Sequence, residues 1–132
     1  MTSITNALGA SVKFTWGDGV HVTSVTAPDG SIWTYGYNTH GMLTAVTPPQ
    51  STAGVYTYYY EDTRDSKLLT GYAVDGVRAT RYTYDTSKRV IKSATENGEV
   101  SDTFVYTANT TAKTDVRGQV TTYTFKTVGS QR

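Results

Sequence analysis

"TYGYNTHGML" (residues 34–43) and "RYTYDTSKRV" (residues 81–90) are two versions of one phrase. Each has two tyrosines flanking one residue, then a turn, then a return. The phrase recurs more loosely along the chain. Glycines at turn positions, Gly9, Gly30, Gly54, Gly76, Gly98 and Gly118, stand 21, 24, 22, 22 and 20 residues apart. Each is followed by two aromatics that flank one residue: Phe14/Trp16, Tyr35/Tyr37, Tyr58/Tyr60, Tyr82/Tyr84, Phe104/Tyr106 and Tyr123/Phe125. Twelve of the sixteen aromatic residues sit in these six pairs, which marks an internal repeat rather than chance.

Residues i and i+2 of a strand face the same side, so both aromatics of a pair are expected to share a face. The residues between them, Thr15, Gly36, Tyr59, Thr83, Val105 and Thr124, face the other side and are mostly small or polar. "PDG" (28–30), "VDG" (74–76), "ENG" (96–98) and "VRG" (116–118) put glycine where a turn needs positive φ. Asn38 to Gly41 and Asp85 to Ser87 serve the other hairpin end. Return strands are read at "VHVTSV", "MLTAV", "KLLTGYA", "RVIKSA" and, weakly, "TTAKTDV". Val22/Val25 and Leu43/Val46 lie three apart, off a plain period of two; a bulge accounts for that spacing, and so does burial on both faces.

Composition agrees. Eleven Tyr, three Phe and two Trp, with abundant Thr and Val, suit a pleated, half-buried surface, and nothing clusters at a helical period. The expected fold is all-β: an antiparallel meander of about eleven short strands in repeated hairpins, forming a strongly curved sheet. Pro48 and Pro49 stop a strand, so residues 47–54 read as a long loop within one array spanning 1–132.

"YGYNTHGMLTAVTPP" and "YTYDTSKRVIKSATENG" resemble the YD repeats of RHS proteins, in which a Tyr–Asp step precedes a turn, then Gly–Arg–Leu and a short strand. "YTYD" (82–85) matches that step, while "YGYN" (35–38) carries Asn and "YYYE" (58–61) carries Glu at the acid position. "THGML" and "SKRV" approximate the post-turn part, and "VTAPDGSIWTY" and "TDVRGQVTTYTF" are similar to RHS linker sequences. The resemblance implies a β-sheet spiralling into a hollow shell. In bacterial RHS proteins and toxin complexes such a shell encloses a toxic segment; in animal teneurins related repeats serve adhesion and display. A full shell needs many more than six units, so by this resemblance the chain looks like a slice of a shell or an orphan remnant.

The near balance of twelve basic and eleven acidic residues gives no general pull toward nucleic acid. There is no apolar run of membrane-spanning length, and "MTSITNALGA" lacks the pattern of a signal peptide. The absence of cysteine excludes disulfides and thiolate metal sites. His21 and His40 have no metal-ligand spacing and are expected on the surface or in turns. Glu61, Asp62 and Asp65 lack the midpoint glycine of an EF-hand and read as an acidic turn. Arg78, Arg81, Lys88, Arg89 and Lys92 beside Tyr82 and Tyr84 offer a nucleic-acid pattern, but solubilising charge is the expected role. "NTT" (109–111) is a glycosylation sequon only in a eukaryotic secretory pathway.

No catalytic or metal residues and no cofactor are expected. The six aromatic pairs are expected to form a structural face, since cross-strand aromatic pairs set register. Trp33, on the parity of Tyr35 and Tyr37, is the candidate ligand contact. An aromatic face left in water would exceed the apolar patches usual on monomers, and open edges invite pairing. The expected partners are therefore neighbouring RHS repeats or another copy of the chain. The resemblance adds a toxin cargo and a secreted, delivered or cell-surface location within a larger bacterial protein. The expected function is a non-catalytic scaffold that encloses or presents cargo. The alternative is a carbohydrate- or surface-ligand-binding module using exposed Trp and Tyr.

Overall fold

The computed structural model of the chain describes residues 1–49 and 54–126. Of the long loop read at 47–54, residues 50–53 lie outside the described residues. The chain divides into two compact units, residues 1–78 and 79–132. No helix occurs among the described residues; thirteen antiparallel strands make up two sheets.

The first unit holds β1 (Thr2–Thr5), β2 (Ser11–Trp16), β3 (Val22–Thr26), β4 (Ile32–Tyr37), β5 (Leu43–Thr47), β6 (Tyr56–Tyr59), β7 (Gly71–Val74) and β8 (Val77–Arg78), hydrogen-bonded in sequence order. The second holds β9 (Thr80–Tyr84), β10 (Val90–Thr95), β11 (Ser101–Tyr106), β12 (Thr110–Thr114) and β13 (Val120–Thr124), again in sequence order. Six strands carry the aromatic phrases and five are the returns. The two additions are β1, which is exposed throughout, and β8, a two-residue strand turned back from β7. Asp75 (φ 50°) and Gly76 (φ 78°) make that turn with the two positive φ angles of a two-residue hairpin. The expected return "KLLTGYA" becomes strand only at Gly71.

Five turns share one hydrogen-bond pattern. In the turn from Asn38 to Met42, Asn38 N–H donates to the Met42 carbonyl at 2.9 Å and Gly41 N–H donates to the Asn38 carbonyl at 2.9 Å. The turns 6–10, 27–31, 85–89 and 115–119 repeat both bonds. These are three-residue hairpin loops, a type I turn closed by one left-handed residue. Four of the five begin with Asn or Asp, whose Oδ1 accepts the N–H groups two and four residues on: Asn6, Asn38, Asp85 and Asp115. The Asp of the "YD" step is thus a turn clasp. Lys88 takes the left-handed place, at φ 63°, where the sister turns have glycine.

The apolar residues three apart are explained by bulges. Trp16 faces Val22 and Thr15 faces Ser24, leaving Thr23 as the extra residue. Tyr37 faces Leu43 and Gly36 faces Ala45, leaving Thr44. Tyr84 faces Val90 and Thr83 faces Lys92, leaving Ile91. Each bulge lies beside the second aromatic of its phrase, and it keeps Val22 with Val25, and Leu43 with Val46, on one side.

Each sheet stands as a single layer, so deep burial is scarce. Ala73 is fully shielded from solvent and Thr70 is 8% exposed. Above them the Arg78 guanidinium donates to Glu61 Oε1 at 3.0 Å and to the Thr70 carbonyl at 3.1 Å, and it lies 4.3 Å from the Tyr59 ring centroid. This clamp ties the 61–70 connection to β7 and β8.

Candidate functional site

Directly opposed residues in an antiparallel sheet share a face, so the register assigns the sides. In the first unit one row runs Phe14, Val25, Trp33, and another runs Tyr35, Val46, Tyr56, Val74. Because Trp33, Tyr35 and Tyr37 alternate along β4, both rows lie on one side. Trp16 joins them through Val22, and Tyr58 faces Tyr72. Tyr60 follows two residues after Tyr58. The opposite side carries Thr15, Ser24, Thr34 and Thr47 in one row and Gly36, Ala45, Thr57, Ala73 and Arg78 in another.

In the second unit Tyr82 and Tyr84 share a side with Ser93 and Asp102, and hence with Phe104 and Tyr106. Tyr106 faces Thr111, which faces Tyr123; Phe125 lies just past β13. Phe104 and Tyr106 stack with centroids 6.5 Å apart. Nine of the twelve paired aromatics are half-buried, whereas Trp16, Tyr123 and Phe125 are 41%, 51% and 59% exposed. Trp33 is half-buried opposite Val25.

Three tyrosines do more than pack. The Tyr37 hydroxyl donates to the Val22 carbonyl at 2.9 Å, Tyr60 to Leu43 at 2.9 Å, and Tyr106 to Val90 at 2.6 Å. Each donor is the second aromatic of its phrase. Each acceptor opens the return strand of the hairpin before it and immediately precedes that hairpin's bulge. A bulge disrupts the ladder and leaves backbone groups to be satisfied otherwise, and the following hairpin supplies the partner. At β2 a tryptophan stands in this position, and its indole N–H donates to Thr2 Oγ1 at 2.8 Å. The Tyr60 hydroxyl titrates above its ordinary value because of burial, with Tyr58 adding to the rise.

The basic residues are largely matched. Arg81 donates to both oxygens of Glu96, at 2.6 and 2.9 Å. Arg89 pairs with Asp85 at 2.8 Å and lies over the Tyr106 ring; Lys113 pairs with Asp102 at 2.9 Å. Arg64 pairs with Asp62, in the acidic turn read from "EDTRD". Among the described residues no cluster of three or more His, Cys, Asp or Glu side chains is placed to hold a metal ion.

One open groove of about 450 Å³ lies in the first unit, between the turn at residues 17–21 and the turn at 38–41. Asp18, His21, Tyr35, Tyr37, Asn38 and Thr39 line it. His21 Nδ1–H donates to Asp18 Oδ2 at 2.6 Å, and Asp18 Oδ1 accepts the N–H groups of Val20 and His21. The His21 side-chain bond, followed by those backbone bonds, holds the Asp18 carboxyl well below the usual carboxylate range. The His21 ring lies 4.7 Å from the Tyr37 ring. His21 therefore sits in a turn, and it is also part of a lined groove. The sequence signal was "GDGVH", an acid three residues before a histidine across glycine.

Residues 17–53 match the family model of the RHS Repeat. The matched stretch carries β3, β4, β5, the Tyr37 hydroxyl bond and the Asn38 clasp, and it supports the RHS/YD-repeat resemblance on independent ground. A comparison with curated proteins finds no match.

Proposed function

We propose, from the RHS repeat at residues 17–53, that the chain is a non-catalytic scaffold module, a segment of an RHS/YD-repeat shell that encloses or presents a toxin or other cargo. The observation that carries this reading is the recurrence of one joint: Tyr37 to Val22, Tyr60 to Leu43 and Tyr106 to Val90. The repeated tyrosine is committed to holding hairpin to hairpin. Such a residue extends a wall and leaves little of itself for chemistry. In a repeat array, stability comes from nearest-neighbour joins of this kind, which suits a chain whose single-layer sheets have few fully buried side chains. RHS repeats occur in extracellular or surface proteins, which agrees with a secreted, delivered or cell-surface place within a larger bacterial protein.

The test is to express the chain with the polypeptide that adjoins it in its own gene and to follow digestion of that polypeptide by a protease. Protection that weakens when Tyr37 and Tyr106 are both replaced by Phe supports the shell. Equal digestion with and without the chain overturns it, as does adjoining sequence with neither further repeats nor a cargo segment.

A further inference from the structure

Twice this chain sets a guanidinium between a repeat tyrosine and a carboxylate. Arg89 immediately precedes Val90, whose carbonyl accepts the Tyr106 hydroxyl. Its guanidinium lies 4.4 Å from the Tyr106 ring centroid and pairs with Asp85 at 2.8 Å. Arg78 repeats the arrangement in the first unit, 4.3 Å from the Tyr59 centroid and paired with Glu61 at 2.9 Å. At the groove between the turns at 17–21 and 38–41, His21 holds the place of Arg89: it immediately precedes Val22, whose carbonyl accepts the Tyr37 hydroxyl. The imidazole takes the same two kinds of partner, the Tyr37 ring at 4.7 Å and the Asp18 carboxylate at 2.6 Å. It is shorter than an arginine, and in its neutral form it brings no charge. We propose that this groove binds a guanidinium group, carried by an arginine side chain of another polypeptide or by a free guanidino compound.

The groups around the groove match that ion. Hydrogen bonds from the His21 side chain and from the N–H groups of His21 and Val20 hold the Asp18 carboxyl well below the usual carboxylate range. With the ring neutral, these donors stabilise the negative charge without cancelling it. The Asp18 side chain is 57% exposed, so a cation from outside reaches it. No Lys or Arg among the described residues lines the groove. His21 commits Nδ1–H to Asp18, so in the neutral ring Nε2 is left as an acceptor. Gly41 keeps that nitrogen clear: a β-carbon there would lie 3.0 Å from Nε2. The hydroxyl oxygens of Tyr35 and Thr39 have no protein partner among the described residues and are free to accept. A guanidinium carries five N–H donors and no acceptor, and its flat face stacks on an aromatic ring, which Tyr35 supplies. A volume of about 450 Å³ is ample for the head group and its stem.

This site is independent of the scaffold reading and does not involve Trp33. The test is to record backbone amide shifts of the whole chain by NMR at low salt while titrating ethylguanidinium, with ethylurea as its flat, neutral counterpart. Ethylguanidinium is expected to give saturable shifts confined to residues 17–23 and 35–41, with a dissociation constant on the order of 10 mM, and ethylurea none. The blocked peptide acetyl-Gly-Arg-Gly-amide separates the sources: tighter binding than the bare ion supports the site with a polypeptide as its ligand, and equal binding supports it with a free guanidino compound. Asp18→Asn keeps an acceptor for the turn and is expected to weaken binding on the order of tenfold. His21→Arg is expected to place the chain's own guanidinium over Tyr37, as Arg89 lies over Tyr106, and to abolish binding of the added ion. The proposal is overturned if neither ethylguanidinium nor the peptide moves these residues, or if ethylurea moves them equally. It is also overturned if Asp18→Asn and His21→Arg, both with spectra unchanged elsewhere, bind as the parent does.

Discussion

The hydroxyl of Tyr37 donates to the carbonyl oxygen of Val22 at 2.9 Å, fifteen residues back, at the residue just before the Thr23 bulge. Removing the hydroxyl while keeping the ring leaves the packing in place and strands a half-buried acceptor. Tyr37→Phe is expected to cost about 1 kcal/mol in urea unfolding, and Tyr106→Phe a similar amount at Val90. The two sites lie in different units and share no partner, so the double variant is expected to show the sum of the single losses.

Asn38 closes its turn by accepting the N–H groups of His40 and Met42 at 2.9 and 3.0 Å. Asn38→Ala is expected to lose about 1 kcal/mol. Asn38→Asp is expected to be nearly neutral, because Asp85 and Asp115 make the same pair of bonds in sister turns. Equal losses for Ala and Asp would show that the clasp is not the source.

Gly54 is glycine for reasons of space. A β-carbon there would stand 1.9 Å from Asp75 Oδ2, and Asp75 can retreat only by giving up its Oδ1 bond to Val55 N–H at 2.9 Å. Gly54→Ala is expected to destabilise by about 1–3 kcal/mol. Adding Asp75→Gly is expected to recover part of that loss, measured as coupling in a double-mutant cycle.

Acid is expected to loosen the first unit through Asp62. The Arg64 guanidinium and then its backbone N–H hold the Asp62 carboxyl down, from 3.8 to about 2. The folded form thus releases the proton more readily than the unfolded chain. The resulting stability is complete above the ordinary carboxylate value and is lost as pH falls from 3.8 toward 2. Asp62→Asn is expected to flatten the pH dependence of unfolding in that window and leave it unchanged near neutrality.

The repeat was legible because aromatic spacing and turn glycines are local signals. The fold class and eleven of the strands followed from them. Val22/Val25 and Leu43/Val46 showed only that something interrupts a period of two; bulge and two-sided burial give the same spacing, and only pairing partners separate them. The role of the second tyrosine was hidden because its acceptor lies in another hairpin, and backbone carbonyls have no letter in a sequence. Gly54 passed for a turn residue because glycine is written alike whether it supplies φ or room. β1 and β8 carry no aromatic phrase and gave no sign. The groove was missed because His21 and Asn38, seventeen positions apart, are brought together only by β3 and β4.

Each tyrosine joint has its donor on one hairpin and its acceptor on the hairpin before. Excising a whole hairpin therefore removes one of each and presents the next tyrosine to the same kind of carbonyl. Lengthening by insertion works in reverse. A gene encoding such a chain can gain or shed a hairpin by unequal recombination and still leave each of these joints with a donor and an acceptor, so the number of repeats is free to drift.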